Sequence, residues 1–173
     1  MNRLLVAPIV ACALLVACDR GAEPLAPRST LVRSPSTLRA SDNANPSFNL
    51  EVILRAPDGA DGFGHVKFRQ DNDDATRVDL GVWVRDLAPN TRYRLQRAAD
   101  GVVNDVCTSS SWLTLGQGAV AKDIVTDDRG TSKEDLFRIL TAAVGTPFDI
   151  KFRVVTTAGV PVLTSDCYQF FVR

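Results

Sequence analysis

Few side chains in this sequence could act in catalysis. The chain has 173 residues and a single histidine, His65. A Ser-His-Asp triad would have to use that imidazole, yet no serine stands in a Gly-x-Ser-x-Gly sequence. His65 also alternates with Val66 and Phe68, so it points away from the apolar face of its expected strand. We interpret His65 as exposed and non-catalytic, and we predict no catalytic residue.

Metal and cofactor sites are limited by the same shortage of ligands. A blue-copper site needs two histidines and a free cysteine, and structural zinc needs four Cys or His ligands. Calcium requires oxygen ligands, which an acidic stretch could supply, but Thr76 stands where the EF-hand loop needs glycine. We therefore predict no metal and no cofactor, and we interpret the acidic stretch as a solvated hairpin tip that contains Asp71, Asp73, Asp74 and Asp79.

Two tryptophans are the candidate binding residues. Trp83 is out of phase with Val82 and Val84, which directs it to the face opposite the expected core. Trp112 follows a serine-rich loop. Amphipathic aromatic side chains on an exposed surface are typical of ligand contacts. The alternative is that a neighbouring loop covers Trp83 and that Trp112 belongs to the core.

The first residues of the chain have the features of an export signal. Arg3 supplies a positive charge, and an apolar run follows from Leu4 to Val16. The run is shorter than the roughly 20 residues that a membrane-spanning helix needs, and small residues come after it. The pattern predicts a cleavable signal peptide over residues 1–17.

The end of that run, Leu15-Val16-Ala17-Cys18, resembles the lipobox of bacterial lipoproteins. The resemblance implies cleavage before Cys18, lipid attachment to its sulfur, and a protein anchored to a membrane of the cell envelope, on the periplasmic or cell-surface side. Residues 18–47 are rich in proline and serine and have no aromatic residue, so they cannot bury enough apolar surface to fold. We predict that they form a disordered tether.

Cysteine usage agrees with export. Cys12 would leave with the signal peptide and Cys18 would carry lipid, so Cys107 and Cys167 remain. An even pair of cysteines in an oxidising compartment predicts a disulfide. We expect it to tie the last strand to the loop at 104–111, outside the main core.

Residues 48–173 alternate apolar and polar side chains, which is the pattern of half-buried antiparallel strands. Turn signals recur at short intervals, so we predict a single all-β domain of eight to ten strands. Such spacing suggests a sandwich or a barrel, and we favour the sandwich. The segment 132–142 fits a helix or a strand, and we favour a strand that pairs back across the turn at 127–130. The clearest apolar positions are Phe48, Leu50, Val52, Leu54, Val78, Leu80, Val82, Val84, Phe148, Ile150, Phe152 and Val154.

A turn motif suggests which sandwich this is. Leu87, Pro89, Thr91 and Tyr93 resemble the Leu-x-Pro-x-Thr-x-Tyr corner of fibronectin type III and related immunoglobulin-like domains. The resemblance implies an antiparallel immunoglobulin-like β-sandwich in which the Tyr93 hydroxyl bonds to upstream backbone. Some 80 residues follow the motif here, more than in a fibronectin module, so it does not determine the strand order. A plain Pro-Asn turn is the alternative.

These features together predict a lipid-anchored protein of the cell envelope with a non-catalytic binding or structural domain. Twenty basic and twenty acidic side chains cancel, which argues against binding to nucleic acid. The expected partners are the membrane, through the lipid on Cys18, and an envelope polysaccharide or protein. The alternative is a small envelope hydrolase, because glycoside hydrolysis needs only two carboxylates.

Overall fold

The structure, a computed structural model, describes residues 48–70 and 76–173. The expected signal peptide, the tether with Cys18, and the acidic residues Asp71, Asp73 and Asp74 lie outside this part of the chain. Within it, no helix is long and apolar enough to cross a membrane.

The regular structure of the described chain consists of β-strands and one short 3-10 helix, Pro57–Gly59, which confirms the predicted all-β class. Four of the strands, β5 to β8, contain only two residues each, too few for alternation to reveal them. The strands are β1 Phe48–Arg55, β2 Phe63–Gln70, β3 Arg77–Arg85, β4 Arg92–Asp100, β5 Leu113–Thr114, β6 Gly116–Gln117, β7 Val120–Ala121, β8 Ile124–Val125, β9 Ser132–Ile139, β10 Pro147–Thr156, β11 Pro161–Ser165 and β12 Tyr168–Phe171.

The strands form two packed layers. In the first layer β1, β2, β3 and β9 pair in that order, and in the second β4 pairs with β10, which pairs with β11 and β12. These pairings are antiparallel, whereas β6 runs parallel to β9. The layers join along one edge, where Leu54 of β1 lies opposite Ser165 of β11. The architecture is therefore a β-sandwich that closes on one side toward a barrel.

Alternation explains how each layer forms its core face. In β3, Val78, Leu80, Val82 and Val84 are all buried, and the residues between them are not. Burying each such side chain stabilises the fold by about 1.5–3 kcal/mol.

Aromatic side chains connect the two core faces. The ring of Phe68 on β2 lies 4.6 Å from that of Phe170 on β12, edge to face. It also lies 6.2 Å from the ring of Phe152 on β10. Both geometries are favourable for aromatic pairs, and together they fasten the first layer to the second.

Segment 132–139 is a strand, but its expected pairing was wrong. β9 pairs antiparallel with β3 rather than with the segment before the turn at 127–130. That segment contains β8, which pairs with β4 in the other layer. The turn therefore carries the chain from one layer to the other. As a result β8 and β9 pair with strands of different layers and do not form a hairpin.

The corner before β4 also connects the layers. The Ala88 N–H donates to the Tyr93 hydroxyl at 3.2 Å, and the Thr91 hydroxyl donates to the Pro89 carbonyl at 2.8 Å. Leu87 is half-buried against the core. Because β3 and β4 belong to different layers, these contacts shape the crossing between them.

The predicted disulfide is confirmed. Cys107 and Cys167 are bonded, with their Cα atoms 5.5 Å apart. Cys107 lies in the long loop between β4 and β5, and Cys167 lies directly before β12. The Lys151 ammonium donates to the Cys107 carbonyl at 2.9 Å, so the loop rests on the outer side of β10.

Candidate functional site

A cavity of about 340 Å³ lies between the two layers. It occupies the end of the sandwich where β4 and β9 finish and where β3 and β10 begin. Its rim is formed by residues 139–142 and 146–148. Its walls are mostly apolar and include Phe68, Val78, Leu80, Leu115, Ile150 and Phe152.

The cavity exists because the core-facing residues of β4, and of β9 at Arg138, become small or charged toward one end of the sandwich. On β4 the inner positions hold Tyr93 and Leu95, which are buried, and then Arg97 and the small Ala99. The backbone continues, but no bulky apolar side chain fills the space between the layers. A void in a close-packed interior is unusual, so this end of the sandwich is the natural candidate for a site.

Two guanidinium groups face the cavity from opposite layers. Arg97 belongs to β4, and Arg138 follows buried Leu136 on the inner phase of β9. Arg138 donates to the Gly118 carbonyl at 3.0 Å. Among residues 48–70 and 76–173, no carboxylate forms an ion pair with either side chain, and the Arg97 side chain has no hydrogen-bond partner.

The electrostatics of this pair are unfavourable. Burial lowers the pKa of Arg97, and the positive charge of Arg138 lowers it further. An arginine nevertheless stays protonated in proteins, so two like charges share the cavity. Asp100 also lines it, but its carboxylate already accepts hydrogen bonds from Thr108 at 3.1 Å and from the Ser109 N–H at 3.1 Å.

Arg97 and Arg138 were not among the predicted site residues, although the sequence contains a signal for each. Arg97 continues the apolar phase of Tyr93 and Leu95, and Arg138 continues that of Leu136. A charged residue on the buried phase of a strand is rare unless it is paired. The cavity itself depends on the distance between layers, which no pattern along the chain encodes.

The structure places Trp83 on the outer side of the first layer. Its side chain is 37% exposed, and its ring meets that of Phe63 edge-on at a centroid distance of 5.8 Å. The Arg85 guanidinium lies 5.1 Å from the Phe63 ring centre. Trp83, Phe63 and Arg85 form a small exposed aromatic group, which we call the β3 surface cluster.

Trp112 lies on the outer side of the second layer and is half-buried. The Arg153 guanidinium lies 3.9 Å from the centre of its ring, and the Lys151 ammonium lies 5.4 Å from it. Trp112 is thus stacked against cations rather than packed in the core. Because the layers face opposite ways, the structure brings Trp83 and Trp112 neither together nor into the cavity.

Several outward arginines, unlike those of the cavity, form ion pairs with carboxylates. Arg92 and Arg94 both reach Asp123, at 3.3 and 2.9 Å, and Arg77 reaches Asp79 at 2.8 Å. Exposed pairs of this kind contribute little to stability. They give Arg77, Arg92 and Arg94 the negatively charged partners that Arg97 and Arg138 lack.

Potential metal ligands and the single histidine were the other candidates in the described parts of the chain. No group of three or more His, Cys, Asp or Glu side chains there could hold a metal. His65 is half-buried, with Nε2 3.7 Å from a Glu51 carboxylate oxygen. Asp100 and Asp149 lie opposite each other on β4 and β10, but Asp149 is fully buried, so a substrate could not reach both.

Comparisons with known proteins do not assign this chain to a family. No family model matches the chain, and no curated protein matches it. The crystal structure of chicken MD-1 complexed with lipid IVa matches with a TM-score of 0.41 and 14% sequence identity. The match covers 74% of this chain and 99% of that one. A likeness of this size does not carry a function from one protein to another.

Proposed function

We propose that the domain is a non-catalytic binding module that takes a small apolar or amphiphilic molecule into the cavity between its layers. The observation that carries this proposal is the cavity itself, about 340 Å³ in volume and walled by apolar core residues. Small-molecule sites usually measure about 300–1,000 Å³ and combine apolar walls with a few polar groups. This one is at the lower end of that range, which suits a single chain or ring.

The hydrolase alternative has little support by comparison. Asp100 and Asp149 are the carboxylates that the fold places directly opposite each other. Asp149 accepts a hydrogen bond from the Asn104 N–H at 2.9 Å, which holds the loop over it. A pair sealed in this way cannot flank a glycosidic bond.

We further propose that the protein is exported and lipid-anchored through Cys18. The lipobox resemblance at Leu15–Cys18 supports the anchor. The Cys107–Cys167 disulfide supports a location outside the cytoplasm, because such bonds persist in oxidising compartments. The segment 18–47 would then be a tether that spaces the β-domain from the membrane.

The anchor has a direct test. The protein extracted from membranes should begin at Cys18 and carry the added mass of acyl chains, whereas Cys18→Ser should accumulate as an unlipidated precursor. Intact-mass measurement of both forms checks this. A mature N-terminus at any other residue would exclude the lipobox interpretation.

We also propose that the domain is immunoglobulin-like. The contact between Tyr93 and the Ala88 N–H, at 3.2 Å, is the kind of bond that defines the tyrosine corner of those domains. We propose the β3 surface cluster as a second candidate binding surface, for an envelope polysaccharide or protein. Exposed aromatic residues are common at such contacts.

The cavity proposal is tested with a neutral fluorescent probe, N-phenylnaphthylamine, whose emission rises in apolar surroundings. We expect saturable binding to the purified protein. Ala99→Phe, which places a ring in the cavity from β4, should abolish binding, and the smaller Ala99→Leu should weaken it. Melting curves would show that both variants remain folded.

Trp83→Ala is the matched control, because Trp83 lies on the outer side of the first layer. It should bind the probe as the unmodified protein does. Binding lost in Trp83→Ala but kept in Ala99→Phe would overturn the cavity proposal and favour the β3 surface cluster.

A further inference from the structure

We infer that the ligand of the cavity is an anionic amphiphile, with its apolar chain between the layers and its carboxylate or phosphate head held by Arg97 and Arg138. This inference rests on the proposed function, since it names the class of molecule that the cavity takes. Its basis is the placement of two cations, one from each layer, on mostly apolar walls, where the one lining carboxylate, Asp100, already accepts hydrogen bonds from Thr108 and Ser109.

Register shows that both side chains belong to the core-facing side. Arg97 on β4 lies opposite Phe152 on β10, and Phe152 is buried in the core. Arg138 on β9 lies opposite Val78 on β3, which is also buried. Directly opposed residues in antiparallel strands share a face, so each guanidinium starts from the inner side of its layer.

The pair lacks negative charge. Both side chains are half-buried. Even partial removal of a charged group from water is unfavourable unless a partner compensates, and a second like charge adds to this cost. Within residues 48–70 and 76–173, neither guanidinium has a carboxylate at ion-pair distance, while outward arginines such as Arg94 do. A ligand that brings one or two negative charges would remove this deficit.

The chemistry of arginine narrows the head group. Its planar fork of N–H donors matches the two oxygens of a carboxylate or a phosphate and can bind them bidentately. The neighbouring walls, formed by residues such as Leu80, Leu115 and Ile150, match a hydrocarbon chain. Because the two arginines and the apolar walls belong to one cavity, we expect its ligand to combine an anionic head group with an apolar chain.

An opposing explanation is that both side chains extend along the apolar walls to water at the open rim. Long cationic side chains do this readily. In that case the charges would be solvated, and the ligand, if any, would be neutral. The two explanations differ in whether the charge of the ligand matters.

The experiment compares three probes with the same hydrocarbon chain: dodecanoate, dodecyl phosphate and dodecanol. Each displaces N-phenylnaphthylamine from the purified protein in detergent-free buffer below the micelle-forming concentration. We expect one or both anions to bind at least about tenfold more tightly than the alcohol, because hydrogen bonds to charged groups contribute about 1.5–3 kcal/mol and about 1.4 kcal/mol is tenfold. The difference between the two anions identifies the head group.

Arg97→Met and Arg138→Met keep the apolar stem of the side chain and remove its charged guanidinium group. Each should weaken anion binding about tenfold or more and leave dodecanol binding unchanged. Arg92→Met is the matched control, because it removes the same charge from the opposite face of β4, where Arg94 still holds Asp123 at 2.9 Å. Loss of anion binding in Arg92→Met as well would show an effect of total charge and overturn the inference.

The remaining outcomes separate the two proposals. Equal binding of all three probes, unaffected by Arg97→Met, would overturn the anionic ligand and leave the cavity proposal intact. Failure of every probe and of the fluorophore would overturn both. Displacement of dodecanoate by inorganic phosphate at comparable concentration would show a site for free anions rather than for an amphiphile.

Discussion

Trp83 shows how much a single exposed aromatic side chain contributes to this fold. It is 37% exposed and makes an edge contact with Phe63. We expect Trp83→Ala to lower the free energy of unfolding by about 1 kcal/mol, the size of one aromatic pair contact. The melting temperature should fall by only a few degrees, as measured by thermal denaturation.

Phe152→Ala provides the comparison, because Phe152 is 1% exposed. Truncating such a core ring costs about 3–5 kcal/mol. Were Trp83→Ala as damaging as Phe152→Ala, the outward orientation of Trp83 would be contradicted.

Asp127 predicts how the stability of the fold depends on pH in the acid range. Its Oδ1 accepts hydrogen bonds from the Thr131 N–H at 2.8 Å and from the Arg129 N–H at 2.9 Å. The bond from Thr131, more than any other contact, lowers the pKa of Asp127 below its ordinary value. The carboxylate therefore stabilises the folded state at pH values above its unfolded pKa, and this contribution disappears as the pH falls through the folded pKa.

Asp127→Asn should remove that dependence. We expect the variant to be slightly less stable than the unmodified protein at neutral pH and to lose less stability on acidification. Urea unfolding at a series of acidic pH values measures both. Asp128→Asn changes the adjacent exposed carboxylate and should leave the acid dependence as it is; an equal change there would show a general charge effect.

At the scale of single residues, the orientation of a side chain could be predicted from its neighbours in sequence. Its contacts with residues far along the chain could not. Alternation alone directs Trp83 outward. It cannot reveal that Arg153 covers Trp112, because that contact joins the loop before β5 to a strand much later in the chain. Arg97 and Arg138 were within reach of the same alternation, since each breaks an apolar phase.

Among the elements, the corner before β4 makes a specific prediction. The Tyr93 hydroxyl accepts from the Ala88 N–H at 3.2 Å, and the Thr126 hydroxyl donates to the Ala88 carbonyl at 2.7 Å. Tyr93→Phe should lower the free energy of unfolding by about 0.5–1.5 kcal/mol, the net contribution of one hydrogen bond. Chemical denaturation measures this value.

A double-mutant cycle tests whether the two bonds act together. Because both fasten the peptide groups of Ala88, Tyr93→Phe and Thr126→Val should not be additive. Strict additivity, or no loss in Tyr93→Phe, would mean that the corner holds its shape without these bonds.

The presence of a strand was easier to predict than the strand that it pairs with, and β9 shows why. The side chains of residues 132–139 are consistent with a strand, and the structure has one. A turn signal at 127–130 says that the chain reverses, but not whether it stays in the same layer. Here it crosses from β8 beside β4 to β9 beside β3, a choice made by the packing of two layers.

On the scale of the whole molecule, the all-β class followed from local periodicity, whereas the cavity did not. The twelve strands of residues 48–70 and 76–173 pack around one core. The gap at one end of it results from small and charged residues on strands that are distant in sequence, such as Ala99 and Arg138. Their coincidence in space is a property of the assembled sandwich. The disulfide is the exception among long-range contacts, because only two cysteines remained available for it.

That disulfide should be the largest single covalent contribution to stability. The bond between Cys107 and Cys167 spans 60 residues, for which the loss of entropy in the unfolded chain corresponds to about 4 kcal/mol. A domain of this kind has a total of about 5–15 kcal/mol. We expect the double variant Cys107→Ser, Cys167→Ser to lose a large part of its stability, measured by chemical denaturation against the oxidised protein.

The structure also predicts which part of the fold opens first when the disulfide is removed. The bond fastens the loop between β4 and β5 to the start of β12, and the same loop donates the Asn104 N–H to buried Asp149 at 2.9 Å. Without the bond, this loop should open more easily than the core strands, so hydrogen exchange should quicken most at Asn104 and Ser109, whose N–H groups donate to aspartates. Amides of β3, between β2 and β9 in the other layer, serve as the internal control. Uniform acceleration at both places would mean that the disulfide acts only through the unfolded chain, and unchanged stability in the double variant would show that the loop is held by its hydrogen bonds alone.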